Sequence, residues 1–234
     1  MNRRDRTRQE TIASIRRAAL EQIVNEGAGG ISLNEIARQL GMTGPALFRY
    51  VRNRNDLITD LVVDAYTELG DALWRSVEET AGQPVPKRLR AHAAAYRSWA
   101  IDNPHRYALL FGSPVPGYQA PTDMTQPAAI RAMASTFALA SAWAEPGVRP
   151  ATGIADDPLS VALREWARKN DLPALSGGWL RQAILGWTRL HGVLSLELEG
   201  HFRFGLPDPA VIYDSEVEEL IRLIMMVDTG ASTS

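Results

Sequence analysis

The chain contains no cysteine. Disulfides and thiolate metal sites are thereby excluded, which suits a reducing, cytoplasmic setting. No apolar run approaches the ~18 residues needed to cross a bilayer. The opening stretch, MNRRDRTRQ, is basic with no apolar core behind it, unlike a secretion signal. No segment alternates apolar and polar residues as a strand would, and none repeats. Catalytic signatures are missing as well: there is no Gly-x-Ser-x-Gly, no His-Glu-x-x-His, no phosphate loop and no dinucleotide fingerprint. Only His191 and His201 stand near carboxylates in sequence, Glu197 and Glu199, and on a helix His191 and Glu197 point apart. The sequence predicts no enzyme, no metal site and no cofactor.

What is present is an ordinary globular composition, 45% hydrophobic over 234 residues. That length fits one large domain, or a small one joined to a bigger one. Net charge is only −2, yet it divides unevenly. Residues 1–60 hold ten Arg against seven acidic residues, a balance of +3, which leaves −5 for the remainder. A basic end for phosphate and an acidic body is the asymmetry of a regulator with a separate sensing part.

Within the basic end, residues 31–56 read ISLNEIARQLGMTGPALFRYVRNRND. Ser32 with Glu35 three positions on makes a capping box that opens a helix. Ile36, Ala37 and Leu40 share one face, and Gly41 supplies a corner that a Cβ would penalise. Thr43 caps a second helix with Pro45 in its first turn, and Leu47 anchors it inward. Two short helices about a tight glycine corner form a helix-turn-helix, although any small helical hairpin shares the outline. In the DNA reading Thr43, Gly44, Ala46, Phe48 and Arg49 face outward or toward the groove. Arg49 reaches guanine, while Gly44, Pro45 and Ala46 approach thymine methyl groups. Ser32 and Asn34 meet phosphate or an adjacent base, and Tyr50 and Arg54 donate to phosphate oxygens.

The run LFRYVRNRNDL, preceded by SLNEIARQLGMT, resembles the N-terminal domain of the TetR family of bacterial transcriptional regulators. Phe48, Tyr50, Val51, Arg54 and Asp56 hold the family's aromatic, apolar, basic and acidic places. Phe48 stands where the family usually has Tyr and offers no hydroxyl. Arg54 replaces the usual Lys, keeping the charge and adding a forked donor. The resemblance covers about residues 9–69, and beyond them it extends to architecture more than to sequence. It implies an all-α protein with an N-terminal three-helix helix-turn-helix head (9–69, motif 32–51). A long helix would join the head to a larger ligand-binding and dimerisation domain (70–228).

Residues 1–8 carry Arg3, Arg4, Arg6 and Arg8, as an arm along DNA or a solvated tail. Thr7 with Glu10 predicts the start of the first helix, and Gly27 its end. A long amphipathic helix is predicted from Arg54 to about Thr80, then helices over 87–102 and from Pro104. Residues 112–125 form a lid or a mere connection. Further helices are predicted from Pro127 to about Ala144, from Asp157-Pro158 to about Asn170, and over 177–199 and 209–228.

Leu180, Ile184, Trp187, His191, Leu194 and Leu198 alternate at spacings of four and three, a seam suited to a partner helix. Val217, Leu220, Ile221, Ile224 and Val227 make a wide apolar face. Both could equally close the chain's own core. The resemblance implies that the last two helices pair across a two-fold axis in a homodimer. Two heads would then read a palindromic operator on double-stranded DNA.

Trp143 and Trp166, with His92, Tyr96, Trp99, Tyr107, Phe111, Met133, Phe137, Trp187 and His191, lie mostly on inward stripes. They form ordinary core or, as the resemblance implies, the lining of a small-molecule pocket. His191-Gly192 after Trp187 is similar to a Trp-His-Gly pattern in one branch of such ligand domains. The expected mechanism is a repressor released from its operator by a small, mostly apolar effector. The alternative is a ligand-independent architectural or partner-recruiting DNA-binding protein with a filled body.

Overall fold

The structure, a computed structural model, describes residues 3–141, 157–172 and 174–225. Trp143, Val227 and most of the predicted loop 146–157 lie outside the described residues. Among the described residues all regular structure is helical. The order is α1 (Arg3–Glu26), α2 (Leu33–Gln39), α3 (Gly44–Leu47), α4 (Arg54–Glu79) and α5 (Val85–Asp102). It continues with α6 (Pro104–Phe111), α7 (Thr122–Ser141), α8 (Pro158–Lys169), α9 (Gly177–Leu198) and α10 (Pro209–Met225).

Three helices start earlier than predicted from sequence, α5 by two residues at Val85 and two others by more. α1 begins at Arg3, so the first arginines are helical, not an extended arm. Thr7 turns its hydroxyl back to the Arg3 carbonyl at 3.2 Å, inside the helix it was expected to cap. Likewise α7 begins at Thr122, with Pro127 inside it. The backbone N–H groups of Met124 and Thr125 donate to the Pro121 carbonyl, so the helix starts one turn before the proline. At α8 the local signals agree with the structure. The Asp157 carboxylate accepts from the N–H groups of Leu159 and Ser160 at 3.0 and 3.3 Å, ahead of Pro158 in the first turn of α8.

The described residues form two compact units. The first contains the chain up to Glu68 together with Asn103–Ala129. Its core is Ile15, Ala19, Ile23, Ile36, Leu47, Leu57, Ile58 and Leu61, all within 4% exposure. Burying each of these isoleucine and leucine side chains contributes about 1.5–3 kcal/mol, which is what holds helices as short as α2 and α3. Leu109, Leu110, Val115 and Tyr118 pack on the same core. The stretch after α6 is therefore a strap: Tyr118 bonds Thr59 at 3.1 Å, and Asn55 donates to the Gly117 carbonyl at 3.3 Å.

The second unit takes Leu69–Asp102 and the chain from Ile130 on. Here α9 packs on α8, α10 and α5. Gly177 opens α9 because a Cβ there would meet the Ser160 side chain of α8 at 2.6 Å. Tyr213 of α10, 1% exposed, donates its hydroxyl to the Ala93 carbonyl of α5 at 2.9 Å. Leu180, Leu194, Val217, Leu220, Ile221 and Ile224 are buried within this single chain. Of the two roles open to that apolar seam, the chain's own core takes these positions.

Candidate DNA interface and ligand site

The head is built around the corner at Gly41. The Met42 N–H reaches the Ala37 carbonyl at 2.8 Å and the Gly41 N–H the Arg38 carbonyl at 3.2 Å, with Gly41 at φ +64°. This pair of bonds ends α2 and turns the chain by a left-handed residue that L side chains resist. At the other end of α2 the Ser32 hydroxyl accepts from the Glu35 N–H at 3.4 Å. The expected second half of that capping box is absent. Glu35 pairs with Arg38 instead, and the Ser32 N–H donates to Gln22 Oε1 of α1 at 2.8 Å. Gln22 is 7% exposed, a polar residue on an apolar stripe and the one local sign of this contact.

Past the corner, Thr43 caps α3 by accepting from the Ala46 N–H at 3.3 Å. Leu47, 1% exposed, pins the helix to the core. The turn continues to Tyr50 through bonds from Phe48, Arg49 and Tyr50 to carbonyls three or four residues back. Thr43, Pro45, Phe48 and Arg49 are exposed, Gly44, Ala46 and Tyr50 half-buried, and Ser32 and Asn34 exposed at the start of α2. Space beside Gly44 is open, since a Cβ there would meet nothing within 4 Å. An outward segment of this kind, with a forked arginine donor and a phenylalanine on a rigid corner, has the shape that enters a major groove.

Arg54 has a different surrounding from the one its charge suggests. Its guanidinium donates to the carbonyls of Ile31 and Gly29, each at 3.0 Å, across the loop that leads into α2. Arg8, expected in an arm along DNA or a solvated tail, lies inside α1 and packs on the end of the motif. Its guanidinium lies 5.3 Å from the centre of the Tyr50 ring, with Nη1 3.4 Å from the Arg49 carbonyl.

The aromatic set expected to line a pocket divides between the units. Tyr107 and Phe111 belong to the first, where Phe111 packs on Tyr107 at 5.0 Å and edge-on to Tyr66 at 6.1 Å. His92, Tyr96, Trp99, Met133, Phe137, Trp187 and His191 belong to the second. Phe137 is fully buried against Trp166, ring centres 5.8 Å apart. His92 is held on both ring nitrogens, by Ser76 at 3.0 Å and Thr136 at 3.2 Å, and burial pushes its imidazole down to about 4. The Tyr96 hydroxyl lies 2.9 Å from His191 Nδ1, and His191 stacks on Trp187 at 5.1 Å. Half-burial holds His191 below its ordinary value, which favours the neutral ring beside the phenol. That trio is the part of the expected set that clusters around a polar handle.

Fold and corner together define a helix-turn-helix DNA-binding regulator with a larger helical C-terminal domain. Residues 15–61 match the model of the bacterial regulatory proteins of the tetR family, and residues 89–220 the tetracyclin repressor-like C-terminal domain. The HTH-type transcriptional regulator Rv1816 of Mycobacterium tuberculosis is 36% identical over 224 residues, covering 95% of each chain. Among solved structures, the regulatory protein SCO4313 is 38% identical with a TM-score of 0.80, covering 94% of this chain and 100% of that one. A tetR-family regulatory protein from Rhodococcus RHA1, 18% identical, shares the fold at a TM-score of 0.58, covering 91% and 96%. The chain belongs to the TetR family of bacterial transcriptional regulators.

Proposed function

We propose that this regulator binds a palindromic operator as a homodimer in the bacterial cytoplasm and is a repressor that a small, mostly apolar effector releases. The supporting observation is the Gly41 corner, which turns Thr43–Tyr50 outward with Phe48 and Arg49 exposed. In this division of labour residues 9–69 carry the DNA contacts and 70–228 the effector and the dimer. Arg49 reads a base, Phe48 and Ala46 touch apolar base edges, and Ser32, Asn34 and Thr43 meet phosphates at helix N-termini. Arg54 acts by holding the entry to α2. No helix among the described residues is long and apolar enough to cross a membrane.

The two-fold contact uses the outer faces of the last two helices. Thr188, Gly192 and Leu196 form an exposed stripe on α9, and Val211 and Met225 are exposed on α10. Small residues at Thr188 and Gly192 let a second helix approach closely. The effector takes the Tyr96–His191–Trp187 cluster, where a phenol–imidazole pair can exchange its mutual bond for bonds to a ligand. Binding shifts the population between two head spacings, and α4, whose residues belong to both units, carries the change. A difference of a few kcal/mol between states is enough to release DNA.

Filling of the body favours the ligand-blind alternative at two positions. Phe137 is enclosed, and His92 has both nitrogens occupied, so neither has a free face for a small molecule. The deciding experiment is a small-molecule thermal-shift screen, repeated with operator present. An effector should lower operator affinity, and operator should lower effector affinity by the same factor. A tight ligand that leaves operator affinity unchanged would contradict effector release.

A further inference from the structure

The first two turns of α1 are rich in arginine, and the helix fixes where those side chains stand. Arg4 and Arg8 are four residues apart, on one face. Arg3, Arg4, Asp5, Thr7 and Arg8 line one surface concavity together with Tyr50, the last residue of the recognition turn. Arg8 ties the two elements together. Its guanidinium stacks over the Tyr50 ring at 5.3 Å and reaches the Arg49 carbonyl at 3.4 Å. Stacking of this kind fixes the ring, and Arg3, Arg4 and Arg8 are all exposed.

We propose that this concavity is a second DNA contact, a phosphate clamp formed by Arg3, Arg4 and Arg8 of α1 with Tyr50, beside the groove that Arg49 enters. The ligand chemistry is the phosphodiester backbone of a duplex, met by forked donors and a phenol hydroxyl. Because α1 is already helical, the contact does not carry the ordering cost of a flexible arm. The site adds affinity without adding sequence preference. It depends on the DNA-binding function given above.

The test uses the full chain and an arbitrary fluorescein-labelled 30-base-pair duplex, followed by anisotropy over a range of salt. Phosphate contacts set the slope of log affinity against log salt, at about 0.9 per neutralised phosphate. Arg4→Gln and Arg8→Gln should each flatten that slope by about one. Arg17→Gln is the control. Arg17 is exposed on the same helix, about 180° around from Arg8, and lines a different concavity with Gln9 and Arg106. It should leave the slope unchanged. Unchanged slopes for Arg4→Gln and Arg8→Gln, or an equal flattening by Arg17→Gln, would overturn the clamp. A wild-type chain that binds no duplex at any salt would instead overturn the DNA-binding function itself.

Discussion

Gln22 of α1 accepts the backbone N–H of Ser32 at 2.8 Å, ten residues later and at the mouth of α2. The motif's first helix is thus capped from outside by a side chain of a neighbouring helix. Gln22→Ala leaves that N–H without its partner, at a cost of about 1–3 kcal/mol. Urea unfolding of the variant should show a lower midpoint with an unchanged m-value. Glu35→Ala, which would break the capping box expected from sequence, should change the midpoint little.

Arg54 bridges the Gly29 and Ile31 carbonyls with separate nitrogens. Lysine keeps the charge but has no planar fork to span both. Arg54→Lys and Arg54→Ala should therefore weaken binding to all duplexes to a similar extent, with equal loss of thermal stability. Full retention by the lysine variant, in a binding assay at two salt concentrations, would instead make Arg54 a phosphate contact.

His92 couples stability to pH. Its imidazole sits near 4 when folded, through burial, against 6.5 when exposed. The unfolded chain therefore binds the extra proton between those values, and stability falls as pH drops from about 6.5 toward 4. The full difference is about 3 kcal/mol, and above the window the group makes no difference. Urea midpoints from pH 7.5 to 4 should fall more steeply for wild type than for His92→Gln. His191, also lowered by burial, leaves a residual slope of the same sign in the variant.

Tyr118 anchors the strap on α4. Thr59 donates its own hydroxyl proton to the Asn55 carbonyl at 3.0 Å, so the Tyr118 phenol is the donor in their shared bond. Tyr118→Phe should cost about 1 kcal/mol. Amide exchange near Thr59 should speed up, while Trp166 and its surroundings keep wild-type protection.

Signals that act within one helical turn were legible in the sequence. Ser32 and Thr43 cap, Gly41 turns the corner, and Asp157-Pro158 opens a helix, because each depends on a backbone bond a few residues away. Thr7 and Pro127 show where such signals compete with stronger ones. The arginine-rich run before Thr7 is itself a good helix former, and the chain before Pro127 has already started to coil at Thr122. What the sequence did not carry is long-range. The partners Tyr118–Thr59 and Arg8–Arg49 are 59 and 41 residues apart, and no periodicity encodes them. The same limit applies to the aromatic set. Inward stripes located Tyr107 and Phe111 on buried faces, but not in which of the two units those faces lie.

The most direct test is selection of genomic DNA fragments by the purified protein, comparing wild type with Arg49→Ala by sequencing. If the segment from Thr43 to Tyr50 enters the major groove from a paired body, wild type enriches a palindrome. Its half-sites lie about one helical turn, or a multiple, apart, and Arg49→Ala loses preference at one base pair in each half. Enrichment of no palindrome, or an identical motif from both proteins, would contradict the placement of that helix in DNA.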